Sequence, residues 1–159
     1  GLIQKAQKAA EFYNYNIEEK YKLVIAASLH DLGKLAISKN ILEKNGRLTV
    51  TEMNKMKSHV YYTKVALKQM KIFNAIKEWA ANHHEKLNGK GYPEGLDRTQ
   101  LDFNSRLMSC LDIFQALTEK RPYRRPSPYN EVKKIMLNMS KKDFIDSEIT
   151  TQVLEFLSF

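Results

Sequence analysis

A single cysteine, Cys110, is the only thiol in this chain, so it can close no internal disulfide and can offer no thiolate cluster to a structural metal. It sits in "RLMSCLDIF", where it reads as a small core residue, and one thiol used this way suits a reducing, cytoplasmic setting. There is no apolar run of about eighteen residues, the length that reads as a membrane-spanning helix. No segment shows the strict apolar–polar alternation of a half-buried strand, and internal repeats and low-complexity tracts are missing too. Acidic residues are the minority charge: 26 Lys and Arg face 18 Asp and Glu, a net charge of +8. That balance favours anionic ligands over cationic ones. It does not favour a nucleic-acid polymer, because the basic residues are scattered and not interleaved with aromatics as a stacking platform requires. No membrane contact is expected either.

What the sequence does contain is helix. With 159 residues and 43% hydrophobic content it can bury one core, and residues 1–159 read as a single domain. The chain starts at Gly1, not Met, so it is expected to be the C-terminal part of a longer protein, a sensor domain preceding it. Helical period recurs along its length. A helix from near Ile17 carries Ile25, Leu29 and Leu32 on one face. "TVTEMNKMKSHVYYTKVALKQM" reads as one long amphipathic helix with Met53, Met56, Val60, Leu67 and Met70 inward, opened by a Thr49–Glu52 capping box. "IFNAIKEWAANHH" places Ile72, Ile76, Trp79, Ala80 and His83 at helical spacing, and "FNSRLMSCLDIFQALT" is apolar through Phe103, Leu107, Cys110, Leu111, Phe114 and Leu117. Ser127 and Pro128 read as N-cap and first-turn residue of the next helix, and Asp146 as the cap of the last. Loops are expected around 45–47 and 88–95. The fold class is all-α, a compact helical bundle.

Polar residues interrupt these apolar segments. "KLVIAASL" is fit only for burial, yet His30 and Asp31 follow it, with Gly33 and Lys34 just beyond. His59, His83, His84 and Asp112 fall in equally apolar surroundings, which uses every one of the four histidines. Buried carboxylates and ammonium groups cost several kcal/mol each unless neutralised, on the order of the ionic desolvation penalty. Divalent metal supplies the missing charge. Imidazole and carboxylate without thiolate suit iron, manganese or zinc in open sites. Adjacent ligands such as His30–Asp31 and His83–His84 diverge on a helix and suit more than one ion, a carboxylate bridging them. A two-metal centre activates water and clamps phosphoryl oxygens, and Lys34 would then meet phosphate.

These residues resemble a known family. "HDLGK" is similar to the signature of the HD superfamily of metal-dependent phosphohydrolases, and "HHEKLNGKGYPEGL" to the second signature of its HD-GYP branch. "NGRLTVTEMNKMKSH" and "RLMSCLDIFQALTEKRPYR" resemble the segments bearing the family's third metal-binding histidine and its aspartate helix with arginine-rich loop. The resemblance runs from about Ile17 to the end. It implies an HD-type bundle whose metal ligands are His30, Asp31, His59, His83, His84 and Asp112, holding two or three divalent ions, iron or manganese. It implies catalytic roles for Lys34 and Asp31, and a substrate border formed by Lys34, Tyr92, Arg121 and Arg124. The reaction implied is hydrolysis of cyclic di-GMP to linear pGpG and on to GMP. Two alternatives accompany it: a phosphohydrolase for another cyclic dinucleotide or nucleotide, and a degenerate module binding cyclic di-GMP or a signalling partner through the GYP loop. The chain departs from the family pattern twice. A further ligand usual about thirty residues before the HD pair would fall at or before Gly1, and Gln115 stands where a second aspartate is usual. Gln115 is expected to alter hydrogen bonding around the metal.

Overall fold

The computed structural model describes residues 1–69, 74, 76–120 and 125–158. Among them every regular element is helical, and the sole β feature is an isolated bridge between Asn88 and Asp97. No helix is long and apolar enough to cross a membrane among the described residues.

Helix α1 (Leu2–Phe12) packs on α2 (Ile17–Leu29) across a short turn in which Asn14 takes a positive φ of 53°. Asn16 ends the turn and starts α2 with a capping box: its side chain accepts from the Glu19 N–H while Glu19 accepts from the Asn16 N–H. Leu23, Ala26 and Ala27 face inward, and small residues on both helices let their backbones approach closely. A 3-10 turn (Leu32–Ala36) follows at once, then the short α3 (Lys39–Leu42).

The expected long helix is broken. It forms as α4 (Val50–Lys57) and α5 (His59–Lys68), with Ser58 between them. The Ser58 hydroxyl donates back to the Lys55 carbonyl at 2.6 Å, and its N–H is shared between the Asn54 and Lys55 carbonyls, which closes α4. The Thr49–Glu52 capping box forms as expected. The apolar stripe of α4 does not reach the core: no residue of α4 is buried, and Met53 is exposed. Met70 and Ile72 lie outside the described residues.

Helix α6 (Lys77–Ala81) buries Ala80 and Ala81, and ends before His83 and His84, which sit in the turn beyond it. The long loop to α7 is tied at its base by Leu87 and Asn88, whose N–H groups donate to the Phe144 and Asp143 carbonyls. Helix α7 (Phe103–Thr118) is the axis of the bundle. It buries Leu107, Met108, Cys110, Leu111 and Phe114 against α1, α6, α8 (Tyr129–Lys141) and α9 (Ser147–Phe156). Each of the four larger side chains, Leu107, Met108, Leu111 and Phe114, contributes roughly 1.5–3 kcal/mol by leaving water. Cys110 is fully buried, as its apolar context requires, with Sγ 3.6 Å from the Thr150 hydroxyl. Asp102 caps α7 through the Ser105 N–H and accepts the Trp79 indole N–H at 2.6 Å.

The expected cap of α8 shifts by one residue. Pro128, whose ψ of 149° keeps it outside the helix, is the N-cap, its carbonyl accepting from the Glu131 and Val132 N–H groups, while the Ser127 N–H donates to the Leu117 carbonyl at 3.0 Å. Asp146 caps α9 through the Glu148 and Ile149 N–H groups, as expected. The same carboxylate receives Arg106 from α7 at 2.8 Å and Arg98 from the loop at 3.5 Å.

Candidate metal centre

The centre forms where the end of α2, the start of α5, the turn after α6 and the middle of α7 converge. His30 terminates α2, and Asp31 leads into the 3-10 turn. This turn lies hard against α5. The Gly33 N–H donates to the Thr63 hydroxyl at 2.8 Å, and that hydroxyl donates to the His30 carbonyl at 3.1 Å. A Cβ on Gly33 would stand 1.8 Å from the His59 carbonyl oxygen, so only glycine admits this approach. The backbone contact thereby sets His30 and Asp31 beside His59.

The structure brings all six expected ligands into one cluster. His30 Nε2 lies 3.2 Å from Asp31 Oδ2 and 3.7 Å from Asp112 Oδ1, and His59 Nε2 lies 3.3 Å from Asp31 Oδ1. The His83 ring is 5.0 Å from that of His30, 5.7 Å from that of His59 and 4.1 Å from that of His84. Two donor groups, His59–His83–His84 and His30–Asp31–His83, each place their ligand atoms within 4.8 Å of one another. Asp31 turns one oxygen toward His30 and the other toward His59, the attitude of a bridging carboxylate.

Three rings are pinned the same way. Nδ1 of His30, His59 and His83 lies 2.7 to 2.8 Å from the carbonyl three residues earlier, of Ala27, Met56 and Ala80. A carbonyl can only accept, so Nδ1 carries the proton and Nε2 presents its lone pair to the cluster. The Nε2 atoms of His59 and His83 are buried without a hydrogen-bond partner among the described residues, the 3.3 Å approach of His59 to Asp31 being an ion-pair contact alone. Orphaned imidazole nitrogens converging beside carboxylates fit divalent metal, and open sites of this donor type suit iron, manganese or zinc.

Electrostatics agree. Burial, with neighbouring histidines, pushes His83 and His84 down to about 3, so both stay neutral donors. Burial pulls the Asp31 carboxyl upward, but His30, His59 and Lys34 outweigh it and hold the group well below the usual carboxylate range. Burial also opposes charge on His30, and Asp31 followed by Asp112 overcomes it and raises that imidazole.

Lys34 pairs with Asp31 Oδ2 at 2.6 Å, so its ammonium is at the rim of the cluster. Tyr92 reaches the centre from the loop and stacks on His84, with Lys57 on its ring at 5.1 Å. Burial, then Asp112 and Asp31, raises the Tyr92 phenol to about 12. Arg121 and Arg124 lie outside the described residues. Gln115 is buried, and its amide oxygen accepts from Lys5 of α1. Sequence reading missed Glu85, whose buried carboxylate holds the loop, and Thr63, which ties the 3-10 turn to α5. A charged residue directly after two expected ligands was the available signal for Glu85.

A family model described as an HD domain matches residues 3–149. Among curated proteins, the chain is 36% identical over 154 residues to 3'3'-cGAMP-specific phosphodiesterase 1 of Vibrio cholerae, covering 92% of this chain and 36% of that protein. It is 37% identical over 142 residues to a probable cyclic di-GMP phosphodiesterase of Vibrio cholerae, covering 84% and 32%. It is 33% identical over 123 residues to a cyclic di-GMP phosphodiesterase of Thermotoga maritima, covering 76% and 33%. The chain thus spans about a third of the length of these relatives.

Proposed function

The chain belongs to the HD domain family, of the HD-GYP type, and on that premise we propose that its centre hydrolyses cyclic di-GMP to linear pGpG, and on to GMP, as a single cytoplasmic domain. The observation that supports this best is the pair of overlapping donor groups that share His83 and face Asp31, with Lys34 at their edge. His83 has one free ring nitrogen and would hold one ion. Asp31 has two oxygens turned to different histidines and would hold metal through both. Two or three divalent ions, iron or manganese, complete the reading, held by His30, Asp31, His59, His83, His84 and Asp112. Bound there, the ions would lower the pKa of a water and neutralise phosphoryl oxygens.

The chain's own residues supply the rest. Nδ1 pinning keeps the histidine nitrogens aimed without reorganisation. Lys34 gives charge to the phosphoryl group as it gains negative charge, and Tyr92 with Arg121 and Arg124 borders the dinucleotide. Water adds to phosphorus, the P–O3' bond breaks, and the 3'-oxygen leaves with a proton. We place a signalling partner on the outer face of the same loop, where Lys90 and Glu94 are exposed.

One specific finding favours a second substrate: the relative aligned over 92% of this chain is named for 3'3'-cGAMP. Chromatography of products from both cyclic dinucleotides, with anaerobically purified, manganese- or iron-loaded chain, separates the two. Lys34→Ala is expected to keep its metal and lose about 10²- to 10³-fold in turnover, the scale for one transition-state donor. Full metal loading with no hydrolysis of either dinucleotide would leave the binding module as the surviving reading.

A further inference from the structure

His84 is the odd member of the histidine set. Its three partners each have Nδ1 against a backbone carbonyl, whereas the ring nitrogens of His84 make no hydrogen bond among the described residues. A ligand imidazole with neither nitrogen tethered is free to rotate about two torsions, and that freedom weakens metal binding. What lies on the His84 ring instead is Tyr92, stacked at 5.0 Å between centroids and 26° between planes. His83 and His59, the other rings against it, are themselves expected ligands.

Tyr92 in turn is placed by the backbone of its own loop. Its N–H reaches the His84 carbonyl at 3.3 Å. The preceding Gly91 passes so near that a Cβ there would stand 2.4 Å from Glu85 Cα and Lys86 N. The loop is drawn in by Glu85, only 2% exposed, whose carboxylate accepts three successive N–H groups: Glu94 and Gly95 on Oε1 at 2.7 and 3.1 Å, Leu96 on Oε2 at 3.0 Å. Glu85 has no ion-pair partner among the described residues, so these three donors are what offsets its burial. Lys64 adds an outer tether, bridging Glu94 to Glu78 at 2.6 and 2.9 Å.

We infer that Glu85 is a positioning residue for the metal centre: by gathering the 94–96 amides it holds Tyr92 flat on His84, which fixes the one ligand ring that lacks a carbonyl tether. This rests on the reading of His84 as a metal ligand, and it needs no assumption about substrate. Glu85→Gln keeps the size and turns one acceptor into a donor facing an N–H. Tyr92→Leu removes the stacked ring, and Tyr92→Phe keeps it.

The test is manganese binding by calorimetry together with amide hydrogen exchange, on the whole chain and without nucleotide. Glu85→Gln is expected to speed exchange at Glu94, Gly95 and Leu96, to leave α7 protected, and to weaken manganese binding by roughly tenfold, the lower range for loss of a group that orients a ligand. Tyr92→Leu should weaken manganese binding to a similar degree, and Tyr92→Phe should not. Because the two act in series, the double variant should be no worse than the weaker single one. Additive losses, or unchanged manganese affinity in Glu85→Gln with a loosened loop, would overturn the assignment. So would equal affinities for Tyr92→Leu and Tyr92→Phe, a comparison that stands even if Glu85→Gln fails to fold. Absence of cyclic di-GMP hydrolysis would bear on the substrate reading alone.

Discussion

Replacing Gly33 by alanine tests whether the HD pair is set by backbone contact with α5. The new Cβ would meet the His59 carbonyl oxygen at 1.8 Å, the Thr63 nitrogen at 2.6 Å and the His59 carbonyl carbon at 2.8 Å. All three are backbone atoms, so no side chain can swing aside. Contacts under 3.0 Å are essentially never seen, so the 3-10 turn must retreat from α5 by about 1.2 Å. That retreat breaks the 2.8 Å bond from the Gly33 N–H to Thr63, worth about 1 kcal/mol, and overpacking adds about 1–3 kcal/mol. The expected loss is therefore about 2–4 kcal/mol in urea unfolding followed by far-ultraviolet circular dichroism. Function should suffer more than stability. A shift above 1 Å moves His30 and Asp31 away from His59, well beyond the ~0.5 Å tolerance of a ligand constellation, so manganese affinity should fall at least tenfold. Gly1→Ala, with nothing within 4 Å of its Cβ, is the neutral control. A Gly33→Ala protein that unfolds within about 0.5 kcal/mol of the parent, the scale of a neutral surface change, and binds manganese normally would refute the contact argument.

Removing one ligand should empty the centre without melting the bundle: His83→Ala and Asp112→Ala are each expected to lose metal by elemental analysis while keeping the helical dichroism, and full occupancy in both would show the ligand assignment to be wrong. Acid should weaken the metal-free protein. His83 and His84 are held near 3 against an ordinary 6.5, so their neutral burial stabilises fully above about 6.5 and is lost as pH falls toward 3. His30, raised, works in the opposite sense, while Asp31, strongly lowered, adds to the loss once pH drops below its ordinary 3.8. The urea midpoint should thus be lower at pH 4.5 than at pH 7, and a flat profile would contradict the burial of the two rings. Asp102→Ala removes the α7 cap and the acceptor of the single tryptophan, so about 2 kcal/mol of stability should go with a shift in Trp79 fluorescence, and an unshifted spectrum would deny that bond.

The cluster could be read from sequence because ionisable residues in apolar helices are conspicuous: His30, His59, His83 and Asp112 each interrupt a segment written for burial, and the fold brings them together. Caps at Thr49 and Asp146 were legible for a related reason, since their chemistry is local and acts within three or four residues. Where the reading failed, the deciding partner was distant or silent. Ser58 ends α4 although nothing about serine in "MKSHV" marks a break. The cap of α8 moves to Pro128 because its ψ of 149° leaves it outside the helix, a backbone angle that the letters Ser-Pro do not reveal. Helical spacing extended α6 through His83, but the helix stops at Ala81, and the two histidines gain their divergent directions from a turn. Gly33 was visible as a letter and not as a contact: what makes it necessary is the His59 backbone, twenty-six positions later. The amide oxygen of Gln115 accepts from Lys5, an interaction across 110 positions that no spacing rule anticipates.

The Asp146 carboxylate joins three parts of the chain that sequence keeps far apart: the cap of α9, Arg106 on α7 and Arg98 at the foot of the loop that carries Tyr92. The family match stops at residue 149, inside the first turn of α9. A protein trimmed to that border would keep Asp146 but leave it no helix to cap, and would delete Val153 and Leu154 from under α7 and α8. The carboxylate would then keep only its guanidinium partners, and slack would pass from α9 to the loop over the histidines. Shortening the chain to that border is therefore expected to loosen the loop over the histidine cluster from a distance, through an anchor that no alignment of the ligands alone would mark for keeping.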